Sequence, residues 1–296
     1  VLGLARTGEL LDRGILESQV ERMLGDPRSS RGLRDFVNQW LELARLQNIN
    51  INSVAGTQHF TFAMSTNQAP FDDNNVRMAI KHGLDRQELL DKVLFGYGSV
   101  GNDTPINSSY PLFTAMEQRE YDPDKAKFHF DKSGHDGSVL LRTSDNSFPG
   151  APDAAALFQQ SAAAAGITLE IKREPNDGYW SEVWNAQPFC TSYWGGRPVQ
   201  DQMFSTAYQS GVPWNDTAWS NARFDELLVQ ARAELNEDLR REMYAEMQVI
   251  LHNEGGLIAP MFASYVSAIN KKVQHGPMAS NWSLDGERWM ERWWFA

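Results

Sequence analysis

Apolar positions recur at two different periods along this chain. Leu16, Val20, Met23 and Leu24 form a stripe at helical spacing that Gly25-Asp26-Pro27 closes. Ser30 can cap a second helix that buries Leu33, Phe36, Val37, Trp40, Leu41 and Leu43. Residues 1–48 therefore read as all-helical. From Gln58 the habit changes. His59 to Met64 alternates as a strand does, and Val76, Ala79, Ile80 and Leu84 follow at helical spacing behind the turn Pro70-Phe71-Asp72-Asp73. Asp85 can cap a helix carrying Leu89, Leu90, Val93 and Leu94, with Gly96 and Gly98 to stop it. Tyr121-Asp122-Pro123 opens another helix, with Pro in its first turn. The pattern then predicts strands at 139–142, 167–171 and 189–194. Helices are expected at 154–165, 224–235 and 239–251, and one or two closing strands over 257–269. Strands separated by helices imply an α/β layer fold, with ligands at the carboxyl ends of strands.

Charge sharpens the boundary near Asn48. Residues 1–48 hold seven Arg and seven acidic residues, so the whole net charge of −11 falls on residues 49–296. That balance argues against nucleic acid, which needs clustered Lys and Arg. No apolar run approaches the roughly 18 residues that span a bilayer, and Val1 to Ala5 is too short for the apolar core of a signal peptide. Cys190 stands alone, which excludes an internal disulfide within the chain. The ten Trp are the unusual feature. Tyr179, Trp180, Trp184, Tyr193 and Trp194 crowd into sixteen positions, either as packing or as the lining of a binding cleft.

The first candidate site is the end of the strand carrying Tyr193 and Trp194 with the loop Gly195-Gly196-Arg197-Pro198. The glycines allow close backbone approach, and Arg197 offers a planar fork for a carboxylate or phosphate. The bland alternative is a tight turn whose Arg points into water. The loop Asn176-Asp177-Gly178-Tyr179-Trp180 is the second, either a contacting loop or a helix cap with its aromatics packed beneath. Trp214, in Val212-Pro213-Trp214-Asn215-Asp216, is the third. Catalytic signatures are missing. The six His, at 59, 82, 129, 135, 252 and 275, show no paired metal spacing, so no metal or cofactor is expected. Neither a G-x-S-x-G elbow nor a phosphate-cradling G-x-x-x-x-G-K-[ST] loop occurs. Asp177 with Glu182 or Asp201 would be the carboxylates of a carbohydrate-active enzyme, though any acidic chain offers such pairs.

As text, APFDDNNVRMAIKHGLDRQELLDKVLFGYGSVGNDTPI (69–106) resembles the helical signature of the oligopeptide-type solute-binding proteins of ABC importers, family 5. YDPDKAKFHFDKSG resembles that family's Tyr-Asp-Pro-x-x-Ala helix, and the stretch from Ala218 to Ala268 its final helix pair and return strand. The resemblance covers residues 50–296 and implies a type II periplasmic-binding-protein-like lobe, a mixed sheet flanked by helices, behind a short helical segment. Family members are longer, so it also implies that 49–296 is the second lobe with the first absent, crossing over near Thr57–Phe62 and Pro260–Val266. The implied function is non-catalytic capture of a peptide-like solute in the periplasm, by lobe closure, for ABC permease subunits. In peptide-binding relatives an Asp shortly after the loop Trp pairs with the ligand's α-ammonium. Aligned on Trp194 that place falls to Arg197, and the reversed charge favours an anionic or opine-like solute. Residues 10–46 instead resemble a helical stretch of planctomycete domains of unknown function found beside cytochrome-like modules. The alternatives are an interaction module that docks through the N-terminal helices, or the carbohydrate-active enzyme.

Overall fold

The computed structural model describes residues 48–296 together with Asp12, Gly14, Ile15 and Ser18. Apart from those few positions, the helical head expected over 1–48 and its planctomycete resemblance lie outside the described residues. The described chain forms two compact units. One comprises Asn52–Ser267 and His275–Trp294, and it holds everything that bears on the site; the other takes the described residues up to Ile51 with Ala268–Gln274 and Phe295–Ala296.

Six strands form one sheet. They are β1 (Ile49–Met64), β2 (Gly98–Val100), β3 (Val139–Thr143), β4 (Leu169–Arg173), β5 (Phe189–Trp194) and β6 (Leu257–Asn270), in the order β2-β6-β1-β5-β3-β4. β5 runs antiparallel to β1, in a register from His59 opposite Trp194 to Met64 opposite Phe189, and parallel to β3. β3 and β4 are parallel. The sheet is thus mixed, as expected. β1 is longer than the alternation at 59–64 indicated. Its inner half, Phe60 to Met64, lies between β6 and β5 and is buried throughout, while residues 49–55 ahead of it are half-buried or exposed.

The helices follow their caps. α1 (Asn74–His82) begins where the Asp73 carboxylate accepts the Asn75 N–H at 2.7 Å, and α2 (Arg86–Val93) where Asp85 accepts the Glu88 N–H at 2.9 Å. α3 (Pro123–Ser133) is capped by Asp122, starts on Pro123 and ends on Gly134 in the left-handed region. α4 (Ala151–Ala163) joins β3 to β4, and α5 (Gln200–Ala207), α6 (Ala222–Ala233) and α7 (Glu237–Glu254) follow β5. One apolar core joins Phe62, Ile80, Leu141 and Phe158 between sheet and helices. A second joins Met203, Phe204, Leu228 and Met247, and Trp194 packs into it.

The signature helices also carry a buried charge network. Asp103 accepts two hydrogen bonds from Arg86 at 2.7 and 2.8 Å, and Arg119 Nε lies 3.0 Å from the same carboxylate. Burial opposes the Asp103 charge, but the guanidinium groups of Arg86 and Arg119 overcome it and hold the carboxyl at about 2. Beside it, Lys81 Nζ donates to the carbonyls of His252 and Gly255, Arg77 to that of Glu254, and Arg119 to that of His252. Three cations so close the carboxyl end of α7, where the free carbonyls and the helix dipole call for positive charge. Burial, with those other cations nearby, holds Lys81 well below its ordinary value.

Candidate functional site

β5 delivers the site by its alternation. Tyr193 points outward and is exposed, while its neighbour Trp194 turns inward and is buried. The chain then runs tight against β1. Gly196 makes that possible, since a Cβ there would lie 1.7 Å from Thr57 Oγ1 and 2.8 Å from Thr57 Cβ. The turn fixes Arg197. Its backbone N–H donates to the Tyr110 hydroxyl at 3.2 Å, and Nη1 donates to the carbonyls of Gly195 and Gly196 at 3.0 and 3.1 Å. The guanidinium is half-buried, held by one nitrogen against its own loop.

A cavity of about 670 Å³ opens here. Trp180, Trp184, Trp194, Trp214 and Trp282 wall it, with Tyr193 and Tyr265; Gln58, Gly195, Arg197 and Ser283 complete the lining. The aromatic rings form a continuous chain: Tyr193 to Trp180 at 5.7 Å between centroids, Trp180 to Trp184 at 5.9 Å, Trp184 to Trp194 at 6.3 Å, and Trp194 to Trp214 at 6.1 Å. Most of these contacts are edge-to-face, the arrangement that the ring quadrupoles favour. Each ring thereby props the next. Arg197 is the one charged side chain among the lining residues. Beneath the loop, His59 is fully buried; burial pushes its imidazole down to about 4, so it is neutral near pH 7.

The predicted residues divide. Tyr193, Trp194, Gly195, Arg197, Trp180 and Trp214 converge on the cavity. Gly196 lies just behind the lining. Tyr179 is buried, with its hydroxyl donating to the Thr191 carbonyl at 2.7 Å, which makes it the anchor of the π-helical turn Tyr179–Val183 and not a wall residue. Asp177 and Glu182 are exposed and outside the lining; Asp201, half-buried, also lies outside it and pairs with Arg232 at 2.7 Å. Sequence reasoning missed Gln58, Tyr265, Trp282 and Ser283. These arrive from β1, β6 and the closing segment, far off in sequence, and only the Trp content of that segment hinted at one of them. Among the described residues no group of three or more His, Cys, Asp or Glu could hold a metal ion, and no helix is long and apolar enough to cross a membrane.

Comparison with known proteins gives a consistent result. Residues 34–216 match the family described as bacterial extracellular solute-binding proteins, family 5 Middle, starting ahead of the composition boundary at Asn48. Di/tripeptide-binding protein 2 of Pseudomonas aeruginosa is 29% identical over 210 residues, covering 65% of this chain and 38% of that protein. The dipeptide-binding protein of Escherichia coli is 21% identical over 246 residues, covering 79% of this chain and 46% of its own length. The chain thus spans less than half the length of these relatives. Among solved structures, the ABC transporter-associated periplasmic binding protein DppA of Helicobacter pylori, in complex with the peptide STSA, superimposes with a TM-score of 0.72 at 19% identity. That match covers 88% of this chain and 51% of the other, and it shows the fold, that of the type II periplasmic binding proteins.

Proposed function

Because the chain belongs to the bacterial extracellular solute-binding proteins of family 5, we propose that residues 49–296 act as the second of two lobes that close on a solute. The complete protein then serves an ABC importer in the periplasm, and the closed form is what the permease subunits recognise. The role is capture without chemistry. Apolar indole faces hold the body of the solute, and Arg197 takes an anionic group at its end, so the solute is peptide-like or opine-like with a carboxylate near Arg197.

One observation carries this reading: a cavity walled by five indoles has Arg197 as its one charged lining residue. A guanidinium pinned by one nitrogen keeps donors available in a fixed plane, which suits a carboxylate better than an ammonium. A free α-ammonium would meet a positive charge there.

The test is a thermal-shift scan of the chain and of Arg197→Asp against free-amine dipeptides, opine-like conjugates and sugar phosphates. At a ligand concentration of 100 Kd the stabilisation is about 2.7 kcal/mol, a rise of roughly 5–10 °C for a domain of this size. The expected result is a rise with the anionic conjugates that Arg197→Asp abolishes, with free-amine peptides gaining in their place. A melt that free-amine dipeptides raise most in the unaltered chain, or a preference unchanged by Arg197→Asp, refutes the anionic reading.

A further inference from the structure

Directly behind the indole wall lies a carboxylate that the fold does not explain. Asp216, in the turn between α5 and α6, is buried, and its Oδ2 accepts the Trp184 Nε1–H at 2.9 Å. Its Oδ1 is buried with no hydrogen-bond partner. So is Trp194 Nε1, although that indole N–H also favours the Asp216 charge. Among the described residues no cation pairs with Asp216. The other titratable groups that act on it are neutral: burial pushes the Cys190 thiol of β5 up to about 12 and the Tyr208 hydroxyl after α5 well above its usual value. A buried carboxylate without a cation destabilises a fold, so its presence against two wall indoles asks for another reason.

We propose that Asp216 is the positioning residue of the indole wall, its carboxylate drawing the Trp184 N–H away from the cavity so that this indole meets the solute with its ring face. The inference rests on that cavity being the ligand site. The negative charge behind the rings deepens their attraction for a cationic or electron-poor group lying on them. The wall and Arg197 then sort the two ends of one opine-like solute, its carboxylate at Arg197 and its secondary ammonium on the ring faces. Burial pushes Asp216 up to about 6, so the sorting is strongest above that pH and fades below it.

The experiment follows the indole N–H resonances of the intact ¹⁵N-labelled chain from pH 4.5 to 8, the Trp184 signal being the one lost in Trp184→Phe. That signal is expected to move downfield as pH rises through about 6, and to be pH-invariant in Asp216→Asn. The second arm measures tryptamine and indole, a cationic and a neutral probe of one shape. Their affinity ratio is expected to favour tryptamine about fivefold more at pH 7.5 than at pH 5, and to lose this dependence in Asp216→Asn. A Trp184 resonance that does not titrate, or that titrates alike in Asp216→Asn, overturns the proposal whatever the probes do. A ratio that keeps its pH dependence in Asp216→Asn overturns it as well. Probes that bind neither protein, with the resonance titrating as expected, instead overturn the ligand reading of the cavity.

Discussion

Replacing Asp103 by Asn tests the buried charge network in a way that separates charge from shape. Asn keeps the side-chain volume and one carbonyl oxygen to accept from Arg86, so the packing stays and the negative charge goes. Arg86 and Arg119, both nearly inaccessible at 3% and 2% side-chain exposure, then face each other and Lys81 with no counter-charge. The magnitude can be worked two ways. Holding the Asp103 carboxyl at about 2 instead of 3.8 contributes about 2.5 kcal/mol of stability at pH 7, at 1.36 kcal/mol per unit. Breaking a buried pair from one side costs about 3–5 kcal/mol, because the remaining cation stays buried. Both figures are a large part of a total of roughly 5–15 kcal/mol. Urea unfolding followed by tryptophan fluorescence should therefore show a midpoint lowered by roughly 1–1.5 M, for a slope of about 3 kcal/mol/M. The sign with pH is fixed by linkage. A carboxyl whose folded value is depressed stabilises above 3.8, and that contribution is lost as pH falls through about 2. The gap between the two proteins should thus be widest at pH 7 and narrow at pH 3. A loss below about 1 kcal/mol at pH 7, or a gap that does not narrow in acid, would refute the claim that Asp103 holds these cations electrostatically.

Two further substitutions separate loop geometry from wall chemistry. Gly196→Ala places a Cβ against Thr57, and the loop must shift because the contact is with a side chain fixed on β1; a cost of about 1–3 kcal/mol and a loss of solute-induced thermal shift are expected, while a variant that melts and binds like the parent refutes the close approach. Tyr179→Phe leaves the Thr191 carbonyl without its buried donor, which should lower stability by about 1–2 kcal/mol in calorimetry and leave solute affinity unchanged; a selective loss of affinity would return Tyr179 to the wall.

Much of the layout was legible beforehand for reasons that particular residues make clear. Asp73, Asp85 and Asp122 each cap the helix that follows, because a cap is a local bond between residues two or three apart. β5 and β3 announced themselves by short apolar runs between turn residues. The apolar spacing of α1 and α2 was also visible, but the role of their charged residues was not. Nothing in the neighbouring sequence marks Arg77, Lys81 and Arg86 as buried, for each packs against α7 or the loop at Asp103, partners 17 or more residues away.

The site divides along the same line. Sequence alone determined that β5 ends in Trp194 and that a glycine turn carrying Arg197 follows, because these depend on neighbours in the chain. Trp180 and Tyr179 show the limit: adjacent and alike in sequence, one lines the cavity while the other anchors its turn beneath. Only the tertiary structure decided that, and only it brought Gln58, Tyr265 and Trp282 to one wall and set Asp216 behind it. Strand order and the stacking of rings across the sheet are long-range choices. They are made by the burial of whole surfaces, which no window of sequence contains.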